Sequence, residues 1–229
     1  VTHGNGPQVG NAILRVELSR GKAPILPLGI CVADTEGGIG YMIEQSLQNR
    51  LKEEGVDRPV ITIVTQVIVD KDDPQIADPS KFIGQFYTDD EAQKYGTERD
   101  WVMKKDANRG WRRVVPSPQP LSIPASKTIK TLLDNGTIVI AAGGGGVPAY
   151  LDDNGKLEGI DAVVDKDLAS VVLAKEISSE MLLILTSVDK VMLNFGKDNE
   201  KAIDSMTVAE AEQYLADGQF PPGSMGPKV

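Results

Sequence analysis

Four consecutive glycines, at positions 143–146, are the part of this sequence that most directly suggests chemistry. They follow Ile138, Val139 and Ile140, an apolar stretch typical of a buried strand. Because glycine has no side chain, such a run lets an anionic group approach backbone N–H donors closely. The run predicts a seat for an oxyanion or a phosphate. Glycine-rich turns after strands also occur where nothing binds, and this alternative stays open on the run alone.

A second glycine-rich stretch, THGNGPQVGN, stands near the start of the chain. Gly4 and Gly6 free its backbone, and Asn5 and Gln8 supply neutral donors that can hold oxyanions. His3 is the only histidine of the sequence. A metal site of clustered imidazoles and a Ser-His relay are therefore not expected, and a lone histidine is more often a structural donor.

Two lysines stand at predicted helix starts. Lys166 lies between Asp165 and Asp167 in DAVVDKDLA, and Lys228 follows the glycines of GSMGPKV. A helix N-terminus favours anions, so both positions suit phosphate binding. The alternative for the run from Asp165 to Asp167 is a solvated cluster of surface charges, which is the more usual role of such runs. No GxxxxGK[ST] loop and no clean GxGxxG fingerprint is present, so a nucleotide site here must have another design.

The elements that must position these residues alternate between strand and helix. Apolar, β-branched stretches predict strands at residues 60–69, 137–142 and 182–186. Helices are predicted by the spacing of Ile39 to Leu51 ahead of Gly55, by residues 129–133, and by a Thr207 and Glu210 capping box. This alternation predicts a mostly parallel sheet covered on both faces.

One polar, proline-rich segment interrupts that alternation. Residues 71–119 carry four prolines, with a fifth directly after them at Pro120, and most of the aromatic residues, which indicates an inserted subdomain or lid. A solvated excursion without function is the alternative.

Composition narrows the class of protein. The 229 residues are 41% hydrophobic and 25% charged, which is ordinary for a globular protein, and the formal charge of −9 argues against a nucleic-acid partner. No apolar stretch is long enough to cross a membrane, and the single cysteine, Cys31, excludes an internal disulfide framework. A cytoplasmic enzyme that uses small molecules is expected, without nucleic acid, membrane or a dedicated metal site.

Six segments, in this order, resemble the signature blocks of the carbamate kinases, members of the amino-acid kinase family. The segments are VTHGNGPQVGN, NRGWRRVVPSP, GGGGVP, VVDKDLAS, ILTSVDKVMLNFGK and PPGSMGPKV. The likeness covers essentially the whole chain and is more specific than any single block. It implies an α/β fold, a three-layer α/β/α sandwich with a mostly parallel central sheet, in which residues 1–229 form one incomplete domain and residues 71–119 a small protruding lid.

The resemblance also implies the reversible, in-line transfer of a phosphoryl group between ATP and carbamate, giving ADP and carbamoyl phosphate, with Mg²⁺, in arginine metabolism. Lys166 and Lys228 correspond to lysines that contact the transferred phosphoryl group, and Lys81 to a lid lysine on the substrate side. Asp167, with Asp165 beside it, corresponds to the acid that holds these lysines. The positions that correspond to donors at carbamate and phosphate oxygens are Gly4, Asn5, Gly6, Gly143, Gly144 and Gly145. The positions that correspond to the nucleotide pocket are Thr186, Asp189, Phe195, Gly196, Lys197 and Met225.

The family likeness leads to further expectations. It implies a homodimer, and the missing initiator methionine together with the interrupted end blocks predicts an internal part of a longer protein. Three alternatives remain from the sequence: a sister kinase acting on another small acid or nucleotide, a non-catalytic nucleotide-binding regulator, and a structural or interaction module.

Overall fold

The protein is described by a computed structural model that covers residues 1–106, 109–221 and 225–229. Its chain divides into two compact units, Val1–Ser179 and Glu180–Val229. The first unit holds the amino-terminal glycine motif, residues 143–146 and Lys166. The second holds Lys228 and the predicted nucleotide residues. Each unit is described by itself.

The first unit contains six α-helices and nine strands within its described residues. The helices are α1 (Gly6–Leu18), α2 (Leu28–Glu53), α3 (Pro74–Ala77), α4 (Asp89–Arg99), α5 (Ser126–Asp134) and α6 (Lys166–Glu176). The strands are β1 (Val60–Thr62), β2 (Gln66–Val69), β3 (Lys81–Tyr87), β4 (Met103–Lys105), β5 (Trp111–Val115), β6 (Pro120–Ser122), β7 (Ile138–Ile140), β8 (Val147–Leu151) and β9 (Leu157–Gly159).

Parallel strands lie at the centre of this unit. β1 pairs with β7 in parallel, with Val60 opposite Ile138, and β2 pairs with β8 in parallel, with Gln66 opposite Val147. β6 and β9 add antiparallel neighbours in the order β6-β2-β8-β9. The predicted strand at residues 60–69 is thus two short strands. The reason is Thr65, whose hydroxyl donates to the Ile63 carbonyl and accepts the Ala142 N–H, so that the side chain replaces ladder bonds at the break.

The core packs helices against these strands. Val67 and Val139 from the strands meet Ile129 of α5 and Leu173 of α6 in one buried cluster. The helices predicted around residues 39–51 and 129–133 are present as α2 and α5, and α2 begins earlier than the periodicity indicated, at Leu28. Glycines with left-handed backbones follow both helices, as the sequence predicted for a helix end.

A separate three-stranded antiparallel sheet, β3-β5-β4, lies within residues 71–119 together with α4. Tyr87, Tyr95 and Trp101 form an aromatic cluster on it. Arg99 reaches from the end of α4 to Glu17 of α1 at 3.0 Å and so ties the sheet to the rest of the unit. Residues 107 and 108 lie outside the described residues. Residue 108 is the first of the NRGWRRVVPSP block, and residue 107 precedes it.

The second unit contains β10 (Val191–Leu193), β11 (Lys201–Ile203), α7 (Val208–Ala216) and a 3₁₀ turn at Gly226–Lys228. β10 and β11 pair antiparallel, and the predicted Thr207 and Glu210 capping box begins α7. Part of the predicted helix start at GSMGPKV, residues 223 and 224, lies outside the described residues.

The prediction of a strand at residues 182–186 is wrong. These residues are not in a strand, and Leu183 and Leu185 are 76% and 87% exposed. An apolar run becomes a strand only where a neighbouring strand takes up its backbone hydrogen bonds, and this run has no such partner in the described part of the chain.

The helices of the described residues were also compared with what a bilayer requires. None of them is both long enough and apolar enough to cross a membrane.

Candidate functional site

A cavity of about 470 Å³ in the first unit brings together six of the seventeen sequence-predicted site residues. We call it the lysine cavity. The lining residues that matter chemically are Gly4, Asn5, Gln8, Lys81, Gly144 and Lys166. They come from four separate stretches of sequence, so the fold rather than local sequence assembles this site.

Two helices begin at the lysine cavity. Asn5 is the N-cap residue of α1 and leaves its side chain free for other contacts, and Pro7 stands in the first turn, where its missing N–H costs nothing. Asp165 is the N-cap residue of α6, which starts at Lys166. Because the N-terminus of a helix carries partial positive charge and unpaired N–H groups, two such ends at one cavity favour an anion there.

Each lysine of the cavity is held by a carboxylate. The Lys81 Nζ lies 2.6 Å from Asp165 Oδ2, and the Lys166 Nζ lies 3.2 Å from Asp167 Oδ2. Both carboxylates are nearly buried, with 13% and 9% of their side chains exposed, whereas the lysines are 35% and 44% exposed. The ammonium groups are thus anchored from the protein side and open toward solvent, where a small anion can reach them.

Asp165 has two structural tasks. Its Oδ1 accepts the Asp167 N–H at 2.9 Å and caps α6, while its Oδ2 binds Lys81. Burial by itself raises the pKa of Asp165, but the hydrogen bond and charge of Lys81 and the Asp167 amide outweigh burial and bring that pKa below its usual value. Asp165 is therefore a carboxylate at neutral pH, and Lys81 is fixed as its counter-ion.

The glycine turn, residues 143–146, is built differently from the expected row of bare donors. The Gly143 N–H donates to Glu36 Oε1 at 2.9 Å, and the Gly144 N–H donates to the His3 carbonyl at 2.7 Å. The Gly145 and Gly146 N–H groups bond within the turn, to Ala142 and Gly143. All four amides have protein acceptors in this structure, so the expectation that they present unpaired N–H groups is corrected here.

Close packing explains why these residues are glycines. A Cβ on Gly144 would lie 2.2 Å from the Asn5 side chain, and one on Gly145 would lie 2.2 Å from the Val164 carbonyl. The two residues also have φ of +66° and +101°, in the region that favours glycine. The turn therefore brings the Asn5 loop and the segment before Asp165 together at one point, directly beside the lysine cavity.

Sequence reasoning missed three side chains that support this arrangement, namely Thr35, Glu36 and Thr65. Asn5 Nδ2 donates to Thr35 Oγ1 at 3.0 Å, and Thr65 is fully buried between β1 and β2. Glu36 is 1% exposed. The only local signal for Glu36 was Gly40, one turn further along α2, where a Cβ would lie 2.2 Å from the Thr62 side chain, because a glycine on the same face lets the helix pack closely on β1.

The remaining predicted residues lie in the second unit. Lys228 is the last residue of the 3₁₀ turn, and Met225 precedes that turn. Phe195 is 73% exposed, and the Gly196 N–H donates to Glu200 at 2.7 Å. Thr186 and Asp189 are exposed, as is Lys197. Their assignment to a nucleotide pocket, and that of Lys228 to the transferred phosphoryl group, stays a prediction.

Acidic and imidazole groups were also considered as metal ligands. Within residues 1–106, 109–221 and 225–229, no group of three or more His, Cys, Asp or Glu side chains is placed to hold a metal ion.

Known proteins share this sequence and fold. The amino acid kinase family matches residues 1–229. Carbamate kinase of Pyrococcus horikoshii is 46% identical over 231 residues, and the carbamate kinase-like protein YahI of Escherichia coli is 49% identical over 234 residues. Each alignment covers 100% of this chain and 73% of the relative.

A solved structure agrees with the sequence relatives. The carbamate kinase of Giardia lamblia bound to AMP-PNP superposes with a TM-score of 0.90 at 42% identity, over 99% of this chain and 72% of that protein. The resemblance found in the sequence is thereby confirmed, and so is the predicted α/β fold of the amino-acid kinases.

Proposed function

Because this chain belongs to the amino acid kinase family, we propose that it is a carbamate kinase, which transfers a phosphoryl group reversibly between ATP and carbamate. The observation that carries the proposal is the lysine cavity. Lys81 and Lys166, each anchored by a buried carboxylate, meet there with the N-termini of α1 and α6.

This arrangement suits in-line phosphoryl transfer. In the direction of ATP formation, a β-phosphate oxygen of ADP forms a bond to the phosphorus of carbamoyl phosphate while the bond from that phosphorus to the carbamate oxygen breaks. Carbamate leaves as an anion, so no protein side chain has to give or take a proton. The protein supplies alignment and positive charge at the phosphoryl oxygens.

The size of the electrostatic effect is large enough to matter. A unit charge about 4 Å from a phosphoryl oxygen contributes roughly 4 kcal/mol at an effective dielectric constant near 20. We assign Lys166 and Lys228 to the transferred phosphoryl group and Lys81 to the carbamate side. Asp167 and Asp165 hold the lysines in place.

The other residues complete the proposal. Gly4, Asn5 and Gly6 stand at the start of α1 and are assigned to the carbamate and phosphate oxygens. Residues 143–145 are assigned to the same end of the site, where their lack of side chains lets the Asn5 loop and the segment before Asp165 pack against the turn. The nucleotide is assigned to Thr186, Asp189, Phe195, Gly196, Lys197 and Met225.

Several features of the working enzyme belong to the same proposal. Residues 1–229 act as one kinase domain, and residues 71–119 act as a lid that closes over carbamate and excludes water. Mg²⁺ enters as part of the substrate, bound to the nucleotide phosphates, and neutralises their charge. A homodimeric, cytoplasmic enzyme of arginine metabolism is the setting that the resemblance in the sequence implies, and it is part of this proposal.

A second candidate is a related kinase with another small-acid substrate. The 49% identity to a protein described as carbamate kinase-like is the observation that favours this second candidate. Residues 71–119 contain the segments DPSKFIG (78–84) and RRVVPSP (112–118), which resemble carbamate kinase segments, and this resemblance supports carbamate as the substrate.

A coupled assay tests both candidates. The purified protein is given ADP and carbamoyl phosphate, and ATP formation is followed, in parallel with acetyl phosphate and acetylglutamyl phosphate as phosphoryl donors. Carbamate kinase activity predicts turnover with carbamoyl phosphate far above that with the other donors. Turnover with another donor alone would favour the second candidate, and binding of ADP without any turnover would favour a regulator.

A further inference from the structure

Glu36 is a buried ionisable group that the proposed reaction does not use. It lies within α2 with 1% of its surface exposed. Its Oε1 accepts the Gly143 N–H at 2.9 Å, whereas its Oε2 is buried without a hydrogen-bond partner among the described residues. Burying such a group is costly, so its presence beside the lysine cavity calls for a functional explanation.

Two consecutive residues of α2 hold two different parts of the site. Thr35 accepts the Asn5 amide N–H at 3.0 Å, and Glu36 accepts the Gly143 N–H. Asn5 and Gly144 both line the lysine cavity, and Gly144 packs directly against Asn5. A displacement of the glycine turn would therefore reach Asn5, and α2 is the element that fixes both.

We propose that Glu36 is a positioning residue for phosphoryl transfer, whose ionised carboxylate holds the glycine turn in the place that the Asn5 loop and the lysine cavity require. The proposal rests on the proposed function, because it concerns the same site.

The physical reason is the acceptor strength of the carboxylate. An ionised acceptor forms a shorter and stronger hydrogen bond than a neutral one. Burial raises the pKa of Glu36 to about 7, although the hydrogen bond from the Gly143 N–H lowers it. Since this pKa lies above the ordinary value of 4.5, ionisation costs stability as the pH rises from about 4.5 to about 7. The hydrogen bond that Glu36 accepts from the Gly143 N–H strengthens as the carboxyl group ionises, over the upper part of that pH range.

The ionisable groups on the neighbouring elements were considered in turn. Of the elements that pack on α2, β1 and the glycine turn carry none, β8 carries Tyr150, and α1 carries Arg15 and Glu17. Glu17 is paired with Arg20 and Arg99, and Arg15 lines a groove between α1 and α2.

His3 is the ionisable group that comes closest to the Glu36 contact. A Cβ on Gly143 would lie 2.3 Å from the His3 Nε2 and 2.9 Å from the Glu36 Cγ. His3 therefore has to be separated from Glu36 in any pH experiment.

The test compares the isosteric Glu36→Gln variant with the unmodified protein between pH 5.5 and pH 8. The quantity is the ratio of their kcat/KM values for carbamoyl phosphate, because the ionisations of the substrates cancel in this ratio. We expect the ratio of unmodified to variant protein to rise about fivefold across this range, the difference between a neutral and a charge-assisted hydrogen bond. A purely structural Glu36 would give a constant ratio, and a constant ratio would overturn the proposal.

A second measurement needs neither activity nor a variant of Glu36. The amide proton shift of Gly143, followed by NMR in the unmodified protein, should show an inflection near the pKa of Glu36, and that inflection should persist in His3→Gln. If it vanishes in His3→Gln, or if the shift is flat, Glu36 is not the titrating group and the proposal fails. If the protein shows no turnover with carbamoyl phosphate at any pH while Gly143 titrates, the proposed function fails and the Glu36 contact stands.

Discussion

At the scale of single residues, Lys166 is the strongest candidate for a group that touches the migrating phosphoryl. Its Nζ is anchored 3.2 Å from Asp167 Oδ2, its side chain is 44% exposed, and the aliphatic part of that side chain packs beside Gly4. An ammonium group so placed is pre-oriented toward the cavity, so its charge is available in the transition state without reorganisation.

Replacing Lys166 by alanine should therefore lower turnover by at least about a hundredfold, the scale of losing one transition-state donor. The measurement is kcat for ATP formation from ADP and carbamoyl phosphate. Lys175→Ala is the matched control, because Lys175 is an exposed lysine of the same helix, remote from its N-terminus, and should leave kcat unchanged. Near-normal turnover of Lys166→Ala would show that this lysine is only a surface charge.

Lys81 should act on one substrate rather than on both. Lys81→Ala removes the partner of Asp165, and we expect the KM for carbamoyl phosphate to rise about tenfold, which corresponds to roughly 1.4 kcal/mol, with the KM for ADP nearly unchanged. The same change should raise the pKa of Asp165, because only its burial and weaker contacts would remain. Carboxyl ¹³C NMR of Asp165 measures that shift.

The control for Lys81 lies in the same segment. Lys94 is an exposed lysine of α4, within residues 71–119, and Lys94→Ala should change neither KM. If Lys81→Ala changed the KM for ADP and left the KM for carbamoyl phosphate unaffected, this result would contradict the placement of Lys81 on the carbamate side.

At the scale of elements, the glycine turn is the junction on which the site depends. Ala142, the residue before it, is fully buried with φ of +51°, a conformation that non-glycine residues rarely adopt. Such local strain persists only where the surrounding packing enforces it, and here the turn packs between α2, α6 and the Asn5 loop.

Two alanine substitutions separate packing from backbone strain. Gly144 and Gly155 have similar φ, +66° and +74°, but a Cβ on Gly144 would meet Asn5 at 2.2 Å, whereas Gly155 has open space around it. Gly155→Ala should cost only the left-handed backbone, about 1–2 kcal/mol. Gly144→Ala should cost clearly more and also reduce kcat/KM. Urea unfolding and the ATP-forming assay measure the two effects, and equal losses of stability would mean that the Asn5 contact yields easily.

Elements with strong local signals could be predicted from the sequence. The capping box of Thr207 and the helix start at Lys166 were visible because each element is specified by residues adjacent in the chain. The strand predicted at residues 182–186 is absent, because a strand also needs a neighbouring strand as hydrogen-bond partner, which the sequence does not display. The side chain of Thr65 interrupts the strand expected at residues 60–69, and its long-range bond to Ala142 could not be anticipated.

The site shows the same division. Lys166 and the glycine run were recognised because motifs carry them, and their meeting with Lys81 in one cavity follows from the fold. Glu36 escaped attention because its partner, Gly143, is 107 residues away in sequence. Contacts of this length are properties of the tertiary structure, and only weak local hints precede them.

At the scale of the whole molecule, a net charge of −9 surrounds a site that the proposed function requires to take up anions. Solvent-exposed charges farther apart than about 10 Å are largely screened at 0.1 M salt, so distant carboxylates repel the substrates weakly. The anchored lysines and the two helix N-termini act at contact distance, where screening is small. In the proposed kinase, the local arrangement of charges rather than the overall charge would therefore determine substrate binding.

The proposed nucleotide site gives a prediction for the molecule as a whole. AMP-PNP with Mg²⁺ at a concentration about 100 times its Kd should stabilise the folded state by about 2.7 kcal/mol, which raises the melting temperature of a chain of this size by roughly 5–10 °C. Phe195→Ala should reduce this increase, because Phe195 is assigned to the nucleotide pocket and is 73% exposed without ligand.

The comparison variant for Phe195 is Val208→Ala in α7. Val208 is 76% exposed in the same unit and is not assigned to the nucleotide, so its loss should leave the temperature increase intact. Because a ligand stabilises only the state that binds it, a melting temperature that does not respond to the nucleotide would exclude a kinase and a nucleotide-binding regulator together. A full response that Phe195→Ala does not weaken would leave the kinase standing and move the nucleotide to other residues of the chain.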